Sequence, residues 1–71
     1  MNNRQMYDLA VNAVKEATGT TGETPADLEV LWIGGVMEIH RAVVWFQGKL
    51  FMVAYNASTE QTTVDTYVKQ E

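Results

Sequence analysis

His40 is the first residue to suggest chemistry, because it is the only histidine in a chain of 71 residues that has no cysteine. Histidine readily exchanges a proton near neutral pH, so it is a candidate general base or pH switch. Glu38 lies two residues before it, and the hairpin predicted below places Tyr55 directly across from it. No serine or cysteine nucleophile stands nearby. The pattern therefore favours a hydrogen-bonded surface trio over a catalytic one.

Asp65, Tyr67 and Lys69 occupy alternate positions of the last predicted strand, residues 62–69, which would present them on one face. A carboxylate, a phenol and an amine in a row could bind a polar ligand. The same pattern is typical of an edge strand that uses charge to resist aggregation. Both interpretations are compatible with the sequence.

Trp32 and Trp45, together with Arg41, are a third candidate group, because indole and guanidinium groups stack on bases. A tryptophan in a mainly apolar strand more often belongs to a core or an interface, and tryptophan is enriched at binding hot spots. We therefore expect Trp45 to anchor an interface. The candidate ligand-binding residues are Trp32, His40, Tyr55, Asp65 and Tyr67.

An N-terminal helix is predicted over residues 4–17, where apolar residues recur with helical spacing. Asn2 or Asn3 can cap its first amides, and Gly19 can adopt the left-handed conformation that ends a helix. The polar segment 18–27 then predicts a loop. The apolar stripe of the helix consists of Met6, Leu9, Ala10, Ala13, Val14 and Ala17.

The rest of the chain is rich in β-branched and aromatic residues and predicts four strands. Gly34-Gly35 is interpreted as a tight reversal or a bulge, and Gln47-Gly48 as a two-residue hairpin loop. The expected fold is a single α+β domain over residues 1–71, with the helix packed on a three- to four-stranded antiparallel sheet in the order α-β-β-β-β. The predicted strands cover residues 29–33, 36–46, 49–56 and 62–69.

A two-residue loop at Gln47-Gly48 pairs Trp45 with Leu50 and Val43 with Met52, so both faces of the hairpin can be read. Neither face is polar, although an antiparallel sheet usually turns one polar face to water. One face carries Ala42, Val44, Phe46, Phe51, Val53 and Tyr55. The other carries Ile39, Val43, Trp45, Leu50, Met52 and Ala54.

One helix can cover only one of these faces, so the other needs a different cover. An exposed apolar patch of several hundred Å² marks an interaction surface. We expect a homodimer that packs sheet on sheet, and the alternative is a sheet that curls until it covers its own second face. The residues expected at the interface with a partner or a second copy are Ile39, Arg41, Val43, Trp45, Leu50 and Met52.

Composition and charge make several classes of function improbable. Five basic and nine acidic residues give a net charge of −4, which does not favour nucleic acid binding. The histidine and carboxylates lack the spacing of a metal site, so we expect no metal and no cofactor. Charged residues interrupt the long apolar stretch, and the N-terminus lacks the pattern of a secretory signal. We therefore expect a cytoplasmic protein without membrane contact.

Several short motifs in this order resemble a family of small uncharacterised proteins encoded by phages and prophages of Gram-positive bacteria. They are a strand ending in Trp at Val30 to Trp32, the step Arg41-Ala42-Val43, an aromatic strand closing in Tyr55-Asn56, and the last strand from Val64 to Lys69. The resemblance implies a bacterial host cytoplasm as the setting. The family has no assigned activity, so the resemblance implies a setting more than a mechanism.

This setting, the surplus apolar face and the lack of a catalytic group suggest a non-enzymatic accessory protein that binds and inhibits a host protein. A component of antiviral defence, such as a CRISPR effector, is a candidate target. The alternative is an oligomer that sequesters a small nucleotide or signalling ligand in aromatic clefts between subunits, through Trp32, Trp45, Arg41 and His40.

Overall fold

The computed structural model describes residues 2–68 and confirms the predicted α+β fold. The four strands form one antiparallel sheet in the order β1-β2-β3-β4, with each strand hydrogen-bonded to the next in sequence. Among the described residues, no helix is long and apolar enough to cross a membrane. The elements are α1 (Asn3–Ala17), β1 (Glu29–Val36), β2 (Ile39–Phe46), β3 (Lys49–Asn56) and β4 (Gln61–Val68).

Helix α1 is closed at both ends by polar contacts. A capping box joins Asn2 and Gln5: the Gln5 amide donates to Asn2 Oδ1 at 2.8 Å, and the Asn2 amide donates to Gln5 Oε1 at 2.9 Å. At the C-terminus the Thr18 hydroxyl donates to the Val14 carbonyl at 2.9 Å, and Gly19 follows with a φ of 70°. The Lys15 ammonium donates to the Gly22 carbonyl and so ties the following loop to the helix.

The core lies between α1 and one face of the sheet. The buried helix residues are Met6, Ala10, Val11 and Val14, and Leu9 and Ala13 are partly buried against the same core. The stripe therefore differs from the predicted one at two positions. Val11 is buried beside Ala10, and Ala17 is exposed beyond the last buried residue. The buried residues of the core are Met6, Ala10, Val11, Val14, Leu28, Ala42, Val44, Phe46, Phe51 and Val53.

The hairpin between β2 and β3 has the predicted loop and register. Gln47 and Gly48 have φ values of 54° and 74°, and positive φ at both positions is the requirement of a type I′ turn. Trp45 therefore pairs with Leu50 and Val43 with Met52. Because this register is correct, the division of side chains between the two faces is also correct for both strands.

The predicted role of Gly34-Gly35 is wrong, because both glycines lie inside β1 and the chain reverses at Met37-Glu38. A Cβ on Gly34 would overlap the indole of Trp32, and a Cβ on Gly35 would lie 2.5 Å from the Ile39 carbonyl oxygen. Glycine within a strand often marks such a close approach. Strand β1 is consequently longer than predicted, and β2 begins at Ile39 instead of Val36.

A bulge in β1 and the turn before β4 determine how the two edge strands join the sheet. The pairing of β1 with β2 shifts between Val30 and Trp32, so Leu31 forms a β-bulge. Between β3 and β4, the side chain of Asn56 accepts the Ser58 amide at 2.9 Å and organises the turn. Strand β4 then runs in unbroken register beside β3. Lys69, which the sequence placed in this strand, lies outside the described residues.

Candidate functional site: the helix-free face of the sheet

The side of the sheet opposite α1, here called the helix-free face, carries large apolar side chains at its centre. Alternation along the strands places it opposite the buried residues Ala42, Val44 and Val53. All six predicted interface residues lie on it. Its main side chains are Trp32, Ile39, Arg41, Val43, Trp45, Leu50, Met52, Ala54, Asp65 and Tyr67.

Cross-strand pairing arranges these side chains in rows. One row runs from Glu29 on β1 through Trp45 and Leu50 to Tyr67 on β4. The next row runs from Trp32 through Val43 and Met52 to Asp65. The centre of both rows is therefore apolar, and the acidic residues stand on the edge strands.

No other element of residues 2–68 covers this face. Helix α1 packs on the opposite side, and the edge strands β1 and β4 make no contact with each other. The described sheet therefore stays open and does not have the curled arrangement that the sequence left as an alternative. Ile39, Val43, Trp45, Leu50 and Met52 are only partly buried, while Trp32 is 52% exposed and Tyr67 is 55% exposed.

Trp32 forms one wall of a cleft at the β1 side of this face. Its indole lies over Gly34, where the lack of a side chain leaves room for the ring. An open cleft of about 350 Å³ lies beside it, lined by Trp32, Gly35, Val36, Ile39 and Arg41. Arg41 is exposed and makes no ion pair within residues 2–68, so its charge is available to a ligand or a partner.

His40 and Tyr55 lie on the other face of the sheet. They are cross-strand neighbours, as the hairpin register predicted, with ring centroids 6.4 Å apart and planes inclined at 33°. Glu38 lies in the β1–β2 turn with an exposed side chain. Within the described chain no side-chain hydrogen bond links the three residues, so the predicted hydrogen-bonded trio does not form.

The candidate ligand-binding residues are consequently divided between two faces. Trp32, Asp65 and Tyr67 share the helix-free face, but Trp32 lies on β1 and the other two on β4 at the opposite edge. His40 and Tyr55 lie on the helix side. The structure does not bring these five side chains into one pocket, and His40 cannot join Trp32, Trp45 and Arg41 around a ligand in one chain.

The structure adds exposed apolar residues that the sequence interpretation missed. Val36 is 75% exposed and Met37 is 88% exposed at the β1–β2 turn, and Met37 has a φ of 57°. Leu31, at the bulge, is also exposed. Val36 alternates with Trp32 and Gly34 along β1, and this spacing could have placed it on the helix-free face. The sequence interpretation missed it because it took the two glycines as the turn.

Comparisons with known proteins leave the function to be argued from this geometry. No protein-family model, no curated protein and no solved structure matches the chain. Within the described residues, no three histidine or carboxylate side chains converge in a way that could hold a metal ion. The helix-free face is therefore the feature from which a function can be argued.

Proposed function

We propose that this protein is a non-enzymatic binding protein that acts through its helix-free face. The observation that carries the proposal is the row of large apolar side chains at the centre of this face, over which no helix or strand of residues 2–68 packs. Monomeric proteins rarely expose contiguous apolar patches of this kind unless the patch serves an interaction. A second protein surface is the natural cover.

The composition of the face suits a protein partner. Trp45 and Leu50 are partly buried at the centre of one row, and tryptophan, tyrosine and arginine are the residues most enriched at interface hot spots. The acidic residues Glu29 and Asp65 stand on the edge strands, as in interfaces with a polar rim around an apolar centre. The side chains of this face also project from the strands of a sheet, which are rigid elements.

The proposed setting is the cytoplasm of a bacterial host, where a phage or prophage accessory protein would block one host protein. The sequence resemblance to small phage and prophage proteins supports this setting. Within residues 2–68, His40, the candidate general base, shares no side-chain hydrogen bond with Glu38 or Tyr55, which supports a binding role over an enzymatic one. A host component of antiviral defence, such as a CRISPR effector, fits the same role.

A substitution at the centre of the face tests the proposal. Met52→Lys places a charge among the apolar side chains, while the cross-strand neighbour Asp65 offers the new ammonium a partner and so preserves the strand pairing. Asn12→Lys is the matched control, because Asn12 is exposed on α1 away from this face. Circular dichroism would verify that both variants are folded.

Tagged wild-type protein and both variants would be exposed to lysate of a Gram-positive host, and a captured protein would be purified and titrated. We expect a stoichiometric complex with wild type and with Asn12→Lys, loss of binding with Met52→Lys, and inhibition of the captured protein's activity. Equal binding by all three proteins, or no stoichiometric complex with wild type, would contradict the proposal.

A second candidate function is supported by the cleft between Trp32 and Arg41. Its volume of about 350 Å³ lies within the usual range for small-ligand sites. An indole wall beside the exposed guanidinium of Arg41 could stack on a base and pair with a phosphate. In this version the protein sequesters a nucleotide or signalling ligand, and His40 takes no part within one chain.

A thermal-shift and native mass spectrometry screen against nucleotides tests this second candidate. A bound nucleotide should raise the unfolding temperature of wild type, and Trp32→Ala and Arg41→Ala should each remove the shift. His40→Ala should keep it, because His40 faces the other side of the sheet. A screen without any bound nucleotide would eliminate this candidate and leave the protein-binding function in place.

A further inference from the structure

We infer that, in the free protein, a second copy of the chain covers the helix-free face in a two-fold dimer that packs sheet on sheet. The inference rests on the proposed function in one respect, namely that this face is the interaction surface. The inference adds that a second copy of the chain covers the helix-free face when no other partner is bound. Area, the placement of charge and the symmetry of the rows support it.

The area of the face reaches the lower limit for a specific dimer interface. Four strands about 4.8 Å apart and eight residues long, at about 3.3 Å per residue, cover about 19 Å by 26 Å, or roughly 500 Å². Two such faces would bury about 1,000 Å², the lower bound for a specific interface. The accessible surface of one chain is 5009 Å², so each copy would contribute about a tenth of its surface, as in interfaces of standard size.

Charge is placed where a second copy can tolerate it. Among the described residues of the face, the charged side chains are Glu29 and Asp65 on the edge strands and Arg41 on β2. The central side chains Val43, Trp45 and Leu50 carry no charge. Two copies packed through their centres would therefore bury apolar atoms against apolar atoms and leave the carboxylates near the rim.

The rows are compatible with two-fold symmetry. The two-fold axis would lie midway between the two packed sheets, parallel to the strands and level with the gap between β2 and β3. Rotation by 180° about it places β1 over β4 of the second copy. Each cross-strand row then lies over the same row of the second copy. Val43 then faces Met52 of the second copy. Arg41 comes within one strand and one row of the second copy's Asp65, within reach of an arginine across the roughly 10 Å that separates packed sheets.

The dimer would regulate the proposed binding surface by mass action. A partner that uses the helix-free face binds only the chain whose face is free, so partner and second copy compete. At high protein concentration the dimer would protect the face from other contacts. At low concentration, or beside a tight partner, the chain would bind as a monomer.

Sedimentation velocity and native mass spectrometry across a dilution series test the dimer directly. We expect wild type and Asn12→Lys to form dimers at micromolar concentration. Met52→Lys should raise the dissociation constant at least about thirtyfold, the loss expected at an interface hot spot. A stable wild-type monomer at micromolar concentration would overturn the inference, and so would equal dissociation constants for Met52→Lys and Asn12→Lys.

The absence of cysteine allows a second, independent measurement. Met52→Cys introduces a single thiol at the centre of the face, and Asn12→Cys introduces one on the outer side of α1. The rate constant for the reaction of Met52→Cys with a maleimide should rise on dilution, because dissociation of the dimer exposes the thiol, whereas that of Asn12→Cys should stay constant. A rate constant for Met52→Cys that does not change with protein concentration would reject the sheet-on-sheet dimer.

The dimer and the proposed function can fail separately. A monomeric wild type that still captures a host protein, with loss in Met52→Lys, would reject only the dimer and keep the binding function. A dimer that Met52→Lys dissociates, without a change in host-protein capture, would support the dimer and reject the proposed use of this face.

Discussion

Replacing Gly34 tests whether the Trp32 cleft is built as the structure shows. An added Cβ at Gly34 would overlap the indole of Trp32, which lies over this position and is 52% exposed. Overpacking costs about 1–3 kcal/mol, and we take the lower half of this range because an exposed indole can swing away. Against this, alanine is favoured over glycine inside a strand by about 0.5–1 kcal/mol. The midpoints of these ranges are about 1.5 and 0.75 kcal/mol, so Gly34→Ala alone should lower the free energy of unfolding by about 0.75 kcal/mol.

The same substitution should have the opposite effect on the free energy of unfolding when the indole is absent. In a Trp32→Ala background, Gly34→Ala should raise the free energy of unfolding by about 0.5–1 kcal/mol, because only the backbone preference remains. The coupling between the two positions is then about 1–2 kcal/mol. Urea unfolding of the four proteins, followed by circular dichroism at one fixed protein concentration, measures it.

Gly35→Ala is the matched control for this cycle. Its added Cβ would meet the backbone of Ile39, not the indole, so it should destabilise both backgrounds equally. The reasoning is refuted if Gly34→Ala has the same effect with and without Trp32. In that event the indole does not lie over Gly34, and the cleft assigned to nucleotide binding loses one wall.

Three further predictions concern stability, and urea unfolding measures each of them. Met6→Ala should lower the free energy of unfolding by about 2–5 kcal/mol, because Met6 is 1% exposed. Met37→Ala should change it by less than about 0.5 kcal/mol, because Met37 is 88% exposed. Similar values for the two variants would contradict the described core. Asn2→Ala should cost about 1 kcal/mol, because it removes the side chain that accepts the Gln5 amide, and no loss would mean that the capping box is not formed. Gln47→Asn should raise stability by about 0.5–1 kcal/mol, because asparagine tolerates the φ of 54° better than glutamine does, and a loss would argue against the type I′ turn.

Local signals in the sequence were sufficient for the helix and the central hairpin. The Asn2 cap and the apolar spacing determine where α1 begins and which side packs on the sheet. The loop Gln47-Gly48 determines the β2–β3 register, and through it the face on which every side chain of both strands lies. These signals act over a few residues, so they can be interpreted without knowledge of the rest of the chain.

The glycine pair at Gly34-Gly35 shows where local interpretation fails. Paired glycines usually indicate a turn, but here they leave room for the indole of Trp32 and for the backbone of Ile39. Neither neighbour is identifiable until the strands are paired. The chain instead reverses at Met37-Glu38, where Met37 has a φ of 57°. Neither residue is a glycine, asparagine or aspartate, the types that favour a positive φ, so the sequence gives no local signal for this turn.

The candidate site shows the same division between local and tertiary information. The sequence by itself determined that the hairpin has two apolar faces, because side chains alternate and the loop sets the register. It also determined that His40 would lie across from Tyr55.

Only the tertiary structure decided which face α1 covers, that β1 and β4 stay apart, and that Trp32, Asp65 and Tyr67 lie on the opposite side of the sheet from His40. The physical reason is that these facts depend on contacts between elements distant in sequence. Packing α1 against Ala42, Val44 and Val53 buries the centre of one apolar face. The other face, with Trp45 and Met52 at its centre, has no helix or strand of residues 2–68 packed over it.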